Sequence, residues 1–321
     1  MSPKQKAKAV WEQGRVAPAV PALLAAMVIW GASYVATKIA LPYVGPFTIL
    51  VIRLLIGTAL LAPFAWRQGF RPSLMFKKRF LLFGLTGMTL HLGFEILGLR
   101  FTSASGGVLI IASAPAVTAA LAVLFLKEKV SLRQGIGIAL SIVGVIVITG
   151  AQPPEGYPLA WLGSLLIFAG VVTWGVYTVQ GRRMIANDTP WLVATTAATG
   201  AAIFLSLPLA IGEIAIEGAP RFDASALIAI LYLGIFAQAA AYGLWNLALR
   251  DVGGTVAGAY VNLVPVIGVG LGLAVGETMT FTQLVGGATV GLGVWLSHNA
   301  RPKEARAHAE AATATLVPSR D

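Results

Sequence analysis

Charged residues and cysteine are what this sequence has least of. Only 11% of its 321 residues are Asp, Glu, Lys or Arg, where a soluble domain carries about a quarter. With 57% apolar residues and a mean hydropathy of +0.81, the chain has too little polar surface to cover soluble domains. The composition excludes most soluble folds and predicts a protein whose solvent is lipid.

The lack of cysteine and the scarcity of histidine exclude several kinds of chemistry. No disulfide, thiolate metal site or cysteine nucleophile can form, and three histidines (His91, His298 and His308) are too scattered for a zinc site. The net charge of +10 does not indicate nucleic-acid binding, because the basic residues lie mainly between apolar runs. The sequence therefore predicts no metal, no cofactor and no nucleic-acid partner.

Long apolar runs, in contrast, are abundant. A hydrocarbon core of about 30 Å requires roughly 20 mostly apolar residues per helix. Ten such runs occur, and most of the connections between them are short. Their expected limits are 19–41, 46–66, 79–99, 105–126, 132–150, 158–181, 190–211, 224–247, 254–276 and 281–299. The predicted fold is an all-α integral membrane protein with ten transmembrane helices.

The basic residues predict the orientation of these helices. When the N-terminus is placed inside, 19 Lys and Arg residues fall in the inside segments, and only Arg100 and Arg221 fall outside. Cytoplasmic loops carry such an excess, so the tails at 1–18 and 300–321 are both expected in the cytoplasm. The first apolar run is too long for a signal peptide and predicts a retained helix.

The two halves of the chain match each other at a nearly constant offset. Trp30 recurs as Trp174, and Pro115 recurs as Pro265. The other matched pairs are Pro46 with Pro190, Pro63 with Pro208, Arg100 with Arg250, Glu128 with Glu277, Ser131 with Thr280, Gln134 with Gln283, Gly137 with Gly286 and Gly144 with Gly293. Because each half contains five runs, the second half enters the membrane from the opposite side. The sequence predicts two inverted five-helix repeats, 19–150 and 151–299, around a central cavity.

Several matched residues have a direct physical explanation. Pro115 and Pro265 lie inside runs, where each is expected to break the helix, and in lipid such a break persists only if it is buried or lines a cavity. The pairs Ser131 with Gln134 and Thr280 with Gln283 have the spacing of capping boxes. Glu128 and Glu277 are expected beside positive helix ends. Glycine pairs four residues apart (254 and 258, 268 and 272, 272 and 276, 287 and 291) predict close helix packing.

The matched segments also resemble a known family. WGASYVATK, WGVYTVQGRR, TSASGGVLIIASAPAVTAALAVLFLKEKVS and the partner segment ending VGETMTFTQ resemble the two tandem repeats of EamA-type exporters of the drug/metabolite transporter superfamily. The chain is most similar to the bacterial aromatic amino acid exporter branch. The resemblance implies alternating-access export across the inner membrane, through a cavity lined by the first, third, fourth, sixth, eighth and ninth helices. One departure is that the TSAS segment becomes GGTV in the second repeat.

Polar and aromatic residues inside the runs are the candidate substrate contacts, because such groups are costly in lipid. Glu95 is the only carboxylate deep in a run, and His91 lies four residues before it on the same helix face. This pair predicts a proton carrier or a partner for a substrate ammonium group, and a buried pair that fixes packing is the alternative. The other candidates are Trp30, Ser33, Tyr34, Trp174, Tyr177, Gln238, Tyr242, Tyr260 and Asn262.

Three further residues in the runs have interpretations of their own. Trp245 continues the stripe of Gln238 and Tyr242 and is typical of an interface belt. Lys38 is expected to extend to the membrane interface. Arg53 is expected to bind either a carboxylate or a backbone carbonyl.

The leading hypothesis is a monomeric transporter whose partners are the lipid bilayer and a small-molecule substrate, an amino acid with an aromatic or other apolar side chain. Drugs, nucleosides and other metabolites are alternative substrates within the superfamily. A membrane-embedded enzyme using Glu95 and His91 is the alternative from a different class, although no HExxH, GxSxG or Walker sequence occurs. A packing scaffold without ligand is the third possibility.

Overall fold

The computed structural model describes residues 19–126, 131–150, 156–185, 189–245, 247–248 and 260–298. All regular elements within these residues are helices. Some features named in the sequence analysis lie outside the described residues: both predicted tails, Glu128, the glycine pair at 254 and 258, and the GGTV segment.

The described helices follow the predicted runs closely. They are α1 (Ala19–Ala40), α2 (Pro46–Trp66), α3 (Lys78–Leu99), α4 (Ala104–Ile111), α5 (Ala114–Leu126), α6 (Leu132–Thr149), α7 (Ala160–Ile185), α8 (Trp191–Glu217), α9 (Ala224–Trp245), α10 (Leu263–Ala274) and α11 (Phe281–His298). A 3₁₀ turn at Pro72–Phe76 joins α2 to α3. Within the described residues, eight stretches are long and apolar enough to cross a membrane, with α4 and α5 forming one of them, and Leu263–Ala274 and Phe281–Ser297 are shorter apolar helices.

Two predicted helix ends fall short of the observed ones by more than a turn: the sixth run was expected to end at residue 181, but α7 continues to Ile185, and the seventh differs by more. The seventh run was expected to end at residue 211, but α8 continues to Glu217. Glu213 and Glu217 lower the hydropathy of this segment, which is why the apolar pattern stops early. Both carboxylates form hydrogen bonds with other segments of the chain, so the helix extends through them.

The predicted helix breaks and caps are confirmed in the described residues. The fourth span is interrupted by a turn at residues 112–113, directly before Pro115, and α10 begins at Leu263 after a turn at 261–262, two residues before Pro265. Both capping boxes form. Gln134 N donates to Ser131 Oγ at 3.2 Å, and Gln283 N donates to Thr280 Oγ1 at 3.2 Å.

Two π-helical segments, which the sequence pattern did not predict, interrupt α3 and α9. They span Leu85–Leu90 and Leu233–Ala240, one in each half of the chain. Such segments are rare and are frequent at functional sites, because the extra residue in the turn changes where the next side chains point. These two segments bring Gln238 to Met88, with Nε2 and Sδ 3.7 Å apart.

Glycines bring α6 and α11 into close contact in a reciprocal pattern. Gly137 packs against Gly293, and Gly144 packs against Gly286, so that an added Cβ would overlap the backbone of the other helix. Since Gly137 is matched with Gly286 and Gly144 with Gly293, each contact is the repeat counterpart of the other. Reciprocal contacts of this kind are expected where a two-fold axis relates two copies of a repeat.

Glycines spaced four residues apart predict close helix packing less well than the repeat-matched glycines of α6 and α11 do. Gly268 packs against Gly31 and Val108, and Gly272 packs against Ser105. No described atom lies within 4 Å of a Cβ added at Gly276 or Gly291, and Gly276 instead ends its helix with φ of 92°. The sites of closest approach are therefore set by which glycines face another helix, not by spacing alone.

The buried apolar side chains form two main clusters that meet at the middle of the molecule. One cluster is formed mainly by α2, α3, α8 and α9, with buried side chains of α1 and α7, and the other is formed mainly by α1, α4, α5, α6, α7, α10 and α11, with single buried side chains of α3 and α9. Trp30 and Trp174, the matched tryptophans, pack against both. The residues considered next lie at this junction.

Candidate substrate site

Glu95 is the centre of a buried polar group. Its residue surface is only 7% exposed, and Tyr34 Oη on α1 donates a hydrogen bond to Glu95 Oε2 at 3.0 Å. His91 Nε2, one turn earlier on α3, lies 3.9 Å from the same oxygen. The predicted pairing of His91 and Glu95 on one helix face is confirmed, and the hydrogen bond from Tyr34 connects the carboxylate to another helix.

The contacts of His91 assign its tautomer. Nδ1 lies 3.0 Å from the carbonyl oxygen of Gly170 on α7. Because a carbonyl only accepts hydrogen bonds, we assign the hydrogen to Nδ1, which leaves Nε2 of the neutral ring as an acceptor facing Glu95. A proton added to either Nε2 or Glu95 would supply the donor that a hydrogen bond between these two groups requires. The ring also lies 4.9 Å, between centroids, from that of Trp174.

Aromatic rings extend from this group on two sides. Trp174 lies 5.1 Å from Tyr177, and Tyr177 stacks on Phe83 at 4.1 Å. On the other side Trp30 meets Tyr242 edge to face at 5.3 Å. Flat apolar faces with polar edges suit small ligands that carry an aromatic or apolar side chain.

The polar atoms of α9 complete the group. Trp30 Nε1 donates to the carbonyl oxygen of Ala237 at 3.0 Å, within the π-helical segment. Gln238 is fully buried, and Tyr242 Oη lies 4.0 Å from Met88 Sδ. The sequence argument omitted Met88, although its separation of 150 residues from Gln238 is the offset that relates Arg100 to Arg250.

Arg53 belongs to the same group, although the sequence analysis could not identify which carboxylate or carbonyl lies near it. Its side chain on α2 is buried, and it interacts electrostatically with Glu95, Tyr34 and Tyr242. These residues together are called the central cluster below: Trp30, Tyr34, Arg53, Met88, His91, Glu95, Trp174, Tyr177, Gln238 and Tyr242. The cluster combines side chains from α1, α2, α3, α7 and α9.

Three predicted site residues are not joined to the central cluster. Ser33 Oγ donates to the carbonyl oxygen of Trp30 on its own helix, at 2.6 Å. Tyr260 packs against the apolar clusters, and Asn262 precedes α10 without a side-chain hydrogen bond to any described residue. Trp245, in contrast, packs 5.7 Å from Trp30 and so lies against the cluster instead of in an interface belt.

The central cluster also includes a helix that the resemblance did not imply, because Arg53 lies on α2. A groove of about 340 Å³ lies elsewhere, lined by apolar side chains such as Ile142, Val145 and Phe168, and no member of the central cluster lines it.

A second group of charges lies at one end of the helix bundle. Lys38 Nζ donates to the carbonyl oxygens of Leu99 and Thr102, at 2.8 and 2.9 Å, and lies over the ring of Tyr157. Lys38 thus extends to the end of the bundle, where the carbonyls that follow α3 bind its ammonium group. It also interacts electrostatically with Glu277.

Glutamates cap helix starts at this end of the bundle. Glu277 accepts hydrogen bonds from the backbone nitrogens of Ala104 and Ser105, at 2.7 and 2.8 Å. Glu213 accepts from those of Phe47 and Thr48, at 2.8 and 3.0 Å. The expectation that Glu277 sits beside a positive helix end is confirmed, and the helix it caps is α4, in the other half of the chain.

An ion pair completes the same end. Arg100 donates two hydrogen bonds to Glu217, and these bonds raise the pKa of the Arg100 guanidinium. Lys38, Arg100, Glu213, Glu217 and Glu277, with their partners, are called the capped end below. Among the described residues, its charges all have direct partners.

The fold and the central cluster define a multi-span helical membrane protein with a buried polar site. No three His, Asp or Glu side chains in the described part of the chain are placed to hold a metal ion. The model of the EamA-like transporter family matches twice, at residues 17–150 and 161–298. The chain belongs to this family, which implies a small-molecule substrate and a membrane environment and indicates a transporter, not an enzyme.

Curated relatives carry consistent descriptions. The uncharacterized transporter YyaM of Bacillus subtilis is 28% identical, over 85% of this chain and 90% of its own. A probable amino-acid metabolite efflux pump of Salmonella typhimurium is 25% identical, over 85% and 92%. A probable terminal-alkyne amino-acid exporter of Streptantibioticus cattleyicolor is 29% identical, over 88% and 94%. One solved crystal structure shares the fold, with a TM-score of 0.60, 20% identity and coverage of 88% of this chain and 98% of its own.

Proposed function

We propose that this protein is a secondary transporter that exports amino acids with aromatic or other apolar side chains across the bacterial inner membrane, with both termini in the cytoplasm. The observation that carries the proposal is the central cluster itself. A carboxylate in the hydrocarbon region of a membrane protein is costly, and such groups mark substrate or proton sites. Here Glu95 accepts a hydrogen bond from Tyr34 in the first half of the chain and interacts electrostatically with Tyr242 in the second half. The descriptions of two relatives as exporters of amino acids or their metabolites support this substrate class.

The transport cycle that we propose is alternating access between two inverted five-helix repeats, 19–150 and 151–299. Three features support this architecture: the reciprocal glycine contacts of α6 and α11, the two π-helical segments, and the contact between Met88 and Gln238. Rocking of the repeats would change the distances between Glu95 on α3 and the side chains of α9. The site would then open to one side of the membrane at a time.

A liposome assay tests the function directly. Purified protein is reconstituted, the vesicles are loaded with labelled L-phenylalanine, L-leucine or L-methionine, and release is measured with and without a pH gradient, against protein-free vesicles. We expect release of at least one of these amino acids, and, if Glu95 carries a proton, acceleration by the gradient that Glu95→Gln abolishes. The proposal is wrong if no amino acid is released or exchanged.

Two tryptophans on α7 provide a matched comparison for the site. Trp174 lies in the central cluster, while Trp161 is 51% exposed on the outside of the same helix. We expect Trp174→Leu to lower transport about tenfold or more, because it removes an aromatic face from the site. Trp161→Leu is expected to transport at the wild-type rate. Equal loss in both variants would indicate that tryptophan supports folding alone.

A further inference from the structure

Arg53 is a buried cation without a direct partner among the residues that the structure describes. It is 3% exposed, its Nε atom has no hydrogen-bond acceptor, and its side chain forms no hydrogen bond with any described residue. A guanidinium has five N–H donors and no acceptor, and burying such a charge without pairing is costly. A site that keeps it unpaired therefore has a ligand to bind.

The nearest opposite charge is close enough to attract Arg53 but does not satisfy it. Arg53 and Glu95 interact electrostatically. In the described part of the chain, however, no carboxylate oxygen lies within 4.0 Å of an Arg53 nitrogen. The two charges thus face the same region with a gap between them. Glu95 also retains a small exposed surface, 9% of its side chain.

Gln238 adds an unsatisfied acceptor to this region. Its Oε1 atom is buried without a hydrogen bond, and its stem packs directly on Gly57. Gly57 lies one turn after Arg53, on the same face of α2. Because any side chain at Gly57 would displace Gln238, this glycine leaves room for the Gln238 side chain on the face of α2 that carries Arg53. The region thus contains a cation without a direct described partner, a carboxylate and an amide oxygen without a hydrogen bond.

We propose that these three groups recognise the charged ends of an α-amino acid: Arg53 binds its carboxylate, and Glu95 and Gln238 bind its ammonium group. This inference rests on the proposed function and names the groups that select the substrate. Arg binds carboxylates through two parallel hydrogen bonds, and a zwitterion brings both complementary charges without adding net charge to the buried site. The aromatic faces of Trp30 and Trp174 then contact the apolar side chain.

Analogues that lack one charge test this assignment. The probes are L-phenylalanine with 2-phenylethylamine and 3-phenylpropionate, and L-leucine with 3-methylbutylamine and 4-methylpentanoate. Binding to the purified full-length protein is read from the ligand-induced change in Tm, and transport is read from competition with labelled amino acid in liposomes. We expect wild type to bind each amino acid about tenfold or more tightly than either analogue, since each analogue leaves a buried charge unpaired. Equal binding of the amine or the acid would overturn the assignment.

Variants identify which side chain binds which charge of the amino acid. Arg53→Gln should reduce the preference for phenylalanine over phenylethylamine about tenfold. Glu95→Gln should reduce the preference for phenylalanine over phenylpropionate. Arg79→Gln, an exposed arginine at the start of α3, is the matched control and should change neither ratio. If Arg53→Gln weakens all three ligands by one common factor, its role is structural and the proposal fails. If Arg53→Gln does not fold, Arg53→Lys is measured in its place, and the comparison of analogues with the wild-type protein tests the assignment independently.

The two readouts separate this inference from the proposed function. Selective binding of the zwitterions without release from liposomes would support the assignment and contradict amino-acid export. If amino acids are released, but the analogues that lack one charge compete as well as the amino acids themselves, export is supported and the proposed roles of Arg53 and Glu95 are overturned. Absence of any amino-acid binding would overturn both.

Discussion

The capped end and the central cluster both bring basic and acidic side chains together: Lys38 and Arg100 with three glutamates at the capped end, and Arg53 with Glu95 in the central cluster. At the capped end every charge bonds directly to its partner, as Lys38 does to two carbonyls and Glu277 to two backbone nitrogens. In the central cluster Arg53 and Glu95 attract each other without touching. Direct partners stabilise a structure, whereas unpaired buried charges are retained at a cost. This difference indicates that the capped end holds the helices together and that the central cluster is available to a ligand.

The largest loss of stability should follow removal of Glu277. Glu277→Ala deletes two charge-assisted hydrogen bonds to the start of α4 and should lower the free energy of unfolding by about 2–3 kcal/mol. The measurement is the Tm of the purified protein in detergent. Glu277→Gln keeps one acceptor oxygen and should lose less. A Tm equal to that of wild type for Glu277→Ala would contradict the assignment of this end as structural.

Lys38→Met should give the next largest loss, about 1–2 kcal/mol, because it leaves the carbonyls of Leu99 and Thr102 without their shared donor. Thermal unfolding is again the measurement. The methionine fills a similar volume, so the effect reports the lost hydrogen bonds. An increase in Tm would mean that desolvation of the lysine outweighs its bonds.

Arg53→Met should behave in the opposite way. Replacing a buried cation that lacks a direct partner with an apolar side chain of similar length removes a desolvation cost. The free energy of unfolding should therefore stay within about 1 kcal/mol of the wild-type value or rise. Transport by the same variant should fall strongly. A loss of stability as large as that of Lys38→Met would show that Arg53 is paired in the folded protein and would remove the contrast between the two regions.

The smallest effect is expected at Asp223, an exposed cap at the start of α9. Its hydrogen bond from the backbone nitrogen of Ala226 lowers the pKa of the Asp223 carboxyl below 3.8. A carboxyl whose pKa is lowered by folding contributes stability above its unfolded pKa and loses it as the pH falls through the folded value. Asp223→Asn should therefore have a slightly lower Tm than wild type at pH 7, and the difference should vanish below about pH 3. A difference that persists there would exclude a charge effect.

Sequence patterns predicted the local features well, because their causes lie within a few residues. The limits of most helices follow from apolar runs, the capping box at Ser131 follows from its spacing to Gln134, and the shared face of His91 and Glu95 follows from helical periodicity.

The features that the sequence pattern missed depend on contacts between distant segments. Arg53 approaches Glu95 only because α2 packs beside α3 and α9. Lys38 donates hydrogen bonds to carbonyls at the end of α3, which are distant from it in the sequence. The π-helical segments have no simple residue signature, so the register that brings Met88 to Gln238 could not be read from periodicity. The repeat offset was the one sequence signal that related these two residues.

The most direct test of the account compares ligand stabilisation across the two regions. L-phenylalanine is titrated into purified wild type, Glu277→Gln and Arg53→Met, and the shift in Tm is measured for each. The account predicts that wild type and Glu277→Gln gain equal stabilisation from the ligand, although Glu277→Gln starts from a lower Tm, and that Arg53→Met gains almost none. Full ligand stabilisation of Arg53→Met would contradict the claim that Arg53 and the other charged group of the central cluster, Glu95, form the substrate site.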